Sequence, residues 1–344
     1  MSTAREFTPS GYDQRAVAIA TPEERDLDRD LLARATADQF QIVRLLGRGA
    51  TGAVYLARDL KLHRVVAIKV LRWDLMSSEP DTTRFRREAR TSGQLVHPRI
   101  VPLYAFGETD DVMYMILQYV PGESLGARLR REGMMAATEV RRLLADLALT
   151  LEYAHREGIV HRDLKPENIL LEQRPGAPPQ PMIMDFGVAT KTWWEPAPGE
   201  RQRSFGTRRF MSPEQAAGDS DIDGRSDLYS LGILGWLMLT GRFPDEGSTN
   251  ATTSPAGGRT STPDPPPRIP ALAPDADAAL VAAIERCLCA DPDDRFRHAR
   301  DLHTTLMAPA NGAGRLRHAV TTWLRRVGHA AGERSLSVRQ PRRS

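Results

Sequence analysis

The chain has 344 residues, 47 Lys and Arg against 44 Asp and Glu for a net charge of +3, and is 41% hydrophobic and 26% charged. This is the balance of a globular protein able to bury a sizeable core. So small an excess of positive charge argues against nucleic acid as the partner.

Residues 1–39 are polar, with a charged run from Glu23 to Arg34 that fits a short amphipathic helix but offers little to bury, so a flexible N-terminal tail is expected. This end also lacks the apolar core of a signal peptide. From Phe40 the pattern changes to three runs, FQIVRLLG, AVYLARD and RVVAIKVL, rich in β-branched and aromatic residues and separated by Gly or polar turns. They predict consecutive antiparallel strands. Asp81 to Val96 has helical spacing, with Asp81 as N-cap and His97-Pro98 as the stop. IVPLYAFGE and VMYMILQYV add two strands, completing a small sheet that carries one helix.

Beyond Pro121 the reading is mostly helical. EVRRLLADLALTLEYAHREG places apolar residues at 140, 143, 144, 147, 151 and 154, a stripe that ends at Gly158. The Pro-rich RPGAPPQP predicts a lengthened surface turn. Asp227 to Thr240 is apolar nearly all round, the mark of a buried helix, and is too short to span a bilayer. A soluble, cytoplasmic protein is therefore expected. The Gly/Pro/Ser/Thr-rich stretch 247–270 predicts a loop, and 276–289 and 298–307 two further helices. Cys287 and Cys289, two apart on a helix, cannot bridge and are expected as buried thiols. Residues 308–344 form a basic tail, with eight arginines and the single acid Glu333 between 313 and 344. Its Leu316, Val320, Trp323, Leu324 and Val327 share one helical face, which suits a membrane surface, an acidic partner or packing on a lobe, with a solvated tail as the default.

Four segments carry chemistry. Gly47-Arg48-Gly49-Ala50-Thr51-Gly52 lies between the first two predicted strands. Glycines at this spacing let backbone N–H groups approach phosphates, and Val54 can pack on an adenine face. A dinucleotide fold would start a helix here, whereas AVYLARD reads as a strand and makes a Gly-rich hairpin. Lys69 stands in the apolar third strand, where it is either paired with a phosphate and a carboxylate, Glu88 being the candidate, or turned outward. His161-Arg162-Asp163-Leu164-Lys165-Pro166-Glu167-Asn168 and Asp185-Phe186-Gly187 follow.

With these segments in order, and MSPE after them, residues 40–307 closely resemble the eukaryotic-like (Hanks-type) serine/threonine protein kinase family, in a bacterial form. The resemblance implies an α+β, two-lobed protein kinase fold, with a small antiparallel β lobe at 40–120 and a larger helical lobe at 121–307. It implies ATP and Mg²⁺ as cofactors and transfer of the γ-phosphate to Ser or Thr hydroxyls of protein substrates. Asp163 would accept or orient the hydroxyl proton and Lys165 would neutralise the transferring group, while Asn168 and Asp185 would bind the metal ions. ATP would contact Leu46, Gly47, Arg48, Gly49, Ala50, Thr51, Gly52, Ala53, Val54, Ala67, Lys69 and Glu88. Gln118, Tyr119 and Val120 would form the adenine hinge, with Leu117 behind it. His161 and Phe186 would pack, Glu214 would pair with Arg295, and Asp227 would be a helix N-cap holding the catalytic loop.

Arg162 beside the catalytic Asp resembles the subclass ordered by phosphorylation of its own activation loop. Thr192 and Ser204 are the preferred regulatory hydroxyls, with Thr207 as the substrate-docking threonine and Trp193-Trp194 as a packing or partner contact. Self-association in trans is one route of input. The competing reading is a pseudokinase scaffold that binds nucleotide without transfer.

Overall fold

The computed structural model describes residues 22–49, 52–71, 75–76, 78–186, 208–244 and 269–308. Strands β1 (Phe40–Arg48), β2 (Gly52–Asp59), β3 (Arg64–Leu71), β4 (Leu103–Glu108) and β5 (Met113–Gln118) form an antiparallel sheet in the order β1-β2-β3-β5-β4. Both faces of β3 are covered, which explains its unbroken apolar run. Val66, Ile68 and Val70 join Phe40, Ala53, Tyr55 and Ile116 on one face. Ala67 and Leu71 join Phe85, Ala89, Met115 and Leu117 on the other. Period-2 alternation therefore sends Lys69 to the second face.

That second face is covered by α2 (Glu79–Gln94), which buries Phe85 and Ala89 one turn apart. Its N-cap is Ser78 rather than Asp81; Asp81 sits in the first turn and accepts a 2.6 Å hydrogen bond from Ser78 Oγ. The first face is covered by α1 (Pro22–Thr36), a helix where a flexible tail was expected. Leu32 is fully buried in the cluster with Phe40 and Tyr55, and Leu31 and Ala35 pack beside it. The apolar residues recur at three- and four-residue spacing, a narrow stripe that the average polarity of the segment conceals.

The larger lobe is built on α4 (Ala137–Arg156) and α6 (Gly224–Thr240), joined by α3 (Leu125–Glu132), α8 (Ala278–Cys287), α9 (Ala299–Met307) and the short α5 (Pro213–Ala217) and α7 (Ile269–Leu272). All six stripe positions of α4 are buried, and α6 is buried on every side. Gly158 ends the α4 region at φ +75°, a conformation glycine adopts freely. Cys287 and Cys289 are free and buried, and burial pushes their thiols up to about 12 and about 11.

A second sheet, β6 (Gly122–Ser124), β7 (Ile169–Arg174) and β8 (Ala177–Ile183), runs antiparallel in that order beneath the first. Here the expected long surface turn is mostly strand. Gly176 at φ +72° makes the turn with Pro175, and APPQPMI pairs back on β7. Prolines are tolerated because β8 is an edge strand of this sheet. Among the described residues, no helix is long and apolar enough to cross a membrane. Of the loop predicted at 247–270, residues 247–268 lie outside the described residues, as does the basic tail beyond 308, whereas Ile269 and Pro270 open α7 rather than ending a loop.

Candidate active site

The Gly-rich segment is a hairpin, as its strand context predicts. Gly47 faces Val54 and Arg48 faces Ala53 across the β1–β2 ladder, and Gly49 N–H donates to Gly52 O at 2.8 Å. A Cβ on Gly52 would lie 2.1 Å from Val70 O, so only glycine lets β2 approach β3 here. Ala50 and Thr51 lie outside the described residues. The alternation of β2 separates two of the expected nucleotide contacts. Val54 packs with the cleft-side cluster, whereas Ala53 is fully buried on the opposite face with Tyr55. The side chain of Ala53 is therefore turned away from the cleft.

The same cluster forms the apolar wall of the cleft from Val54, Ala67, Leu117 and Val120 with Leu170 and Met182. Gln118 closes β5, its N–H donating to Pro102 O at 3.0 Å. Leu170 was not singled out from the sequence. The signal was available, since Ile169 and Leu171 are fully buried below and strand alternation sends Leu170 to the other face.

Lys69 is buried between two acids. Its Nζ pairs with Glu88 Oε1 of α2 and lies 3.1 Å from Asp185 Oδ1. Burial alone would lower the lysine pKa, but the Asp185 and Glu88 carboxylates more than offset it and hold the ammonium above its ordinary value. Burial works against charge on Asp185 too, and Lys69 outweighs it, so that carboxyl lies below its usual range. For Glu88 burial prevails over Lys69 and the pKa is raised. The outward-facing alternative for Lys69 is thereby excluded.

Asp163 and Lys165 lie on the segment that leads into β7, with Lys165 Nζ donating to Asp163 Oδ2 at 2.7 Å. Asn168 Nδ2 donates to Asp163 O at 2.8 Å, and Met184 N–H donates to Asn168 O at 2.9 Å, which brings Asp185 alongside. With its Nδ2 so engaged, Asn168 keeps Oδ1 as an acceptor. Among the described residues no group of three or more His, Cys, Asp and Glu forms a metal cage. A hard oxygen pair from Asn168 and Asp185 fits Mg²⁺, which retains waters and takes phosphate oxygens rather than a full protein shell.

Arg162 and Asp185 both adopt left-handed backbone, at φ +63° and +58°. Each such residue costs roughly 1–3 kcal/mol and persists where its surroundings hold it. At Arg162 the holding groups are visible: its N–H donates to Asp227 Oδ1 at 2.8 Å and its carbonyl accepts from Gln215 Nε2 at 2.9 Å. Asp227 is fully buried and also accepts from His161 N–H at 2.9 Å and from His155 Nε2 at 2.7 Å. Burial opposes its charge, and the hydrogen bond from His155 leads the groups that keep its carboxyl below the usual range. The N-cap of α6 is Asp223, not Asp227, which sits one turn inside the helix and is therefore free to hold the loop. Neither His155 nor Gln215 was anticipated.

His161 is fully buried, its ring 4.8 Å from that of Phe186. Nε2 faces Met184 O at 3.1 Å and Nδ1 accepts from Asp163 N–H at 3.3 Å, so the Nε2–H tautomer satisfies both contacts. The ring supports the loop and is not aimed at a substrate. Glu214 and Arg295 pair at 2.7 and 2.8 Å, as expected. Gly187, Thr192, Trp193, Trp194, Ser204 and Thr207 lie outside the described residues.

Residues 40–306 match the family described as the protein kinase domain. Serine/threonine-protein kinase pkn3 of Myxococcus xanthus is 36% identical over 285 residues, covering 81% of this chain and 51% of that protein. PknB of Mycobacterium tuberculosis is 36% identical over 282 residues, covering 80% of this chain and 44% of that protein. The chain thus spans about half the length of the curated relatives it matches. In three dimensions it resembles the crystal structure of the Mycobacterium tuberculosis PknI kinase domain, with 27% identity and a TM-score of 0.57 over 78% of this chain and 95% of that one. Since the family match runs through both lobes and across the whole cleft, the chain belongs to the protein kinase domain family.

Proposed function

We propose that the chain is a serine/threonine protein kinase that transfers the γ-phosphate of ATP to Ser or Thr hydroxyls of proteins. The observation that carries this reading is the meeting of two charged sets at one apolar-walled cleft. Lys69 and Glu88 come from the small lobe and Asp163, Lys165 and Asn168 from the larger one, and Asp185 joins them, pairing with Lys69 and standing next to the Met184 N–H that bonds Asn168 O. A nucleotide-binding scaffold without transfer has no use for the second set.

In this reading the adenine lies against Val54, Ala67, Val120 and Leu170, and the phosphates lie under the Gly-rich hairpin beside Lys69. Asn168 and Asp185 would hold Mg²⁺, which supplies charge neutralisation at the phosphates. Asp163 Oδ accepts or orients the proton of the incoming hydroxyl. Lys165, already beside that carboxylate, meets the charge that spreads over the transferring phosphoryl oxygens. The protein's part is positioning and electrostatics, and the buried network under Asp227 supplies the positioning. Thr192 and Ser204 remain the proposed autophosphorylation sites, self-association in trans a proposed route to them, and the cytoplasm the proposed location. Contact of the basic tail with a membrane surface is kept as a proposal on its sequence alone.

The test is phosphate incorporation from Mg-ATP into the purified chain and a generic protein substrate, beside Asp163→Asn. Transfer should fall by at least roughly 10²-fold in the variant with ATP binding kept. Unchanged transfer by the variant, or ATP binding by the wild type with no transfer under any phosphorylation state, would sink the proposal.

A further inference from the structure

The Gly-rich hairpin is held from outside its own two strands. Arg48, between Gly47 and Gly49, was expected to contact ATP, but it shares the face of its cross-strand partner Ala53 and directs its guanidinium away from the cleft, to the sheet face that α1 covers. Its Nη1 donates to Asp28 Oδ2 of α1 at 2.6 Å and its Nη2 to Tyr55 Oη at 3.3 Å. Both partners are withdrawn from water, with side chains 13% exposed for Arg48 and 3% for Asp28. Asp28 lies one turn before Leu32 on α1, so the helix face that inserts the apolar anchor also presents the acid. Tyr55, the second group on Arg48, belongs to the cluster that Leu32 seals.

This arrangement differs from a general lobe staple. Leu32, Leu31 and Ala35 already supply apolar adhesion along the helix. The charged contact goes to the last residue of β1, opposite Ala53 and next to Gly49, whose N–H closes the turn on Gly52. A charge-assisted hydrogen bond shielded from solvent is strong and directional. It fixes the base of the turn at one height above the cleft.

We infer that α1 sets the position of the Gly-rich hairpin through the Asp28–Arg48 pair, which makes Asp28 a positioning residue for nucleotide binding. The inference rests on the nucleotide reading of the cleft given above. It also makes docking of α1 and occupancy of the cleft energetically linked. Such coupling is reciprocal: a docked helix tightens nucleotide binding by the same factor by which bound nucleotide tightens docking.

The experiment compares the wild-type chain, Asp28→Asn, and the exchanged pair Asp28→Arg with Arg48→Asp. Binding of a non-hydrolysable ATP analogue with Mg²⁺ is measured by calorimetry. Asp28→Asn should weaken binding about tenfold, within the usual range of coupling between sites. In a phosphotransfer assay it should raise KM for ATP by a similar factor while the rate at saturating ATP stays within about twofold, a split that simple loss of folded protein does not produce. The exchanged pair should regain most of the affinity. In hydrogen exchange on the wild type, the analogue should protect α1 together with β1 and β2. Equal binding by Asp28→Asn, or a loss that the exchanged pair does not reduce, overturns the inference and leaves the nucleotide reading standing. Should Asp28→Asn fail to fold, unchanged exchange in α1 on binding of the analogue overturns it alone. A wild type that binds no nucleotide overturns the reading of the cleft and this inference with it.

Discussion

Replacing Glu214 by Gln preserves side-chain shape and removes one charge from a site where the partner cannot leave. The Arg295 side chain is fully buried and Glu214 is 10% exposed. The guanidinium also donates to the carbonyls of Cys289, Arg225 and Ala290, so it is anchored on every side and would be left without a counter-charge. Two routes give the size of the effect. Removing one partner of a buried pair costs about 3–5 kcal/mol. Burial raises the Glu214 pKa, but the hydrogen bonds from Arg295 and Ser226 prevail and hold it down at about 2, from 4.5. At about 1.4 kcal/mol per unit that is roughly 3 kcal/mol, less some screening at the exposed edge. A loss near 3 kcal/mol corresponds to a Tm lowered by about 6–12 °C for a domain of this size.

The pH dependence follows from the depressed value. Stabilisation by Glu214 is fully present above about pH 4.5, where the unfolded carboxyl titrates, and is lost as pH falls towards about 2. Melts of wild type and Glu214→Gln at fixed scan rate should therefore show a constant gap from pH 8 to 6 that narrows by about two-fifths by pH 3.5. A gap under about 2 °C at pH 7, or one that does not change down to pH 3.5, would refute the assignment of this pair as a coupled, buried contact.

Two further substitutions address the site. Asp227→Asn weakens the acceptor that holds His161 N–H and Arg162 N–H, so the loop carrying Asp163 should lose alignment: kcat should fall about 10²-fold with KM for ATP little changed, and an equal rise in KM would point to the nucleotide side instead. Gly52→Ala places a Cβ against the Val70 carbonyl and should push β2 from β3, costing about 1–3 kcal/mol of stability by denaturant titration. Wild-type stability in that variant would mean the two strands are not pressed together there.

Much of the fold was legible because its periodicities are clean. The runs from Phe40 to Gln118 form the expected strands, with β3 buried on both faces while Val43, Leu45 and Tyr104 stay exposed, and the stripe of α4 is buried as its period requires. The paired charges were legible too: Lys69 is costly in an apolar strand, and Glu88 lies on the helix facing it. What escaped the reading is nonlocal or hidden by averages. The α1 segment was judged by its mean polarity, and the burial of Leu32 depends on a surface offered by residues 40–57. His155 acts on the Asp227 carboxylate and Gln215 on the Arg162 carbonyl, both far away in sequence, which no local pattern encodes. Ala53 and Val54 were grouped as neighbours in sequence, and the pleat of β2 sends them to opposite faces.

The proline-bearing strand β8 has a bearing on how the molecule behaves in company. Along the outer side of β8, Pro179 and Pro181 have no N–H, and Ile183 is already bonded to Arg99 O and Val101 N–H, so a foreign strand laid along this margin would find acceptors without donors at both proline positions. The small sheet therefore ends where its own chain ends it. In a concentrated solution, where edge-to-edge pairing is a common route to aggregates, this margin is a poor template for a ladder, since its prolines withhold donors and its Ile183 end is already covered by residues 99–101.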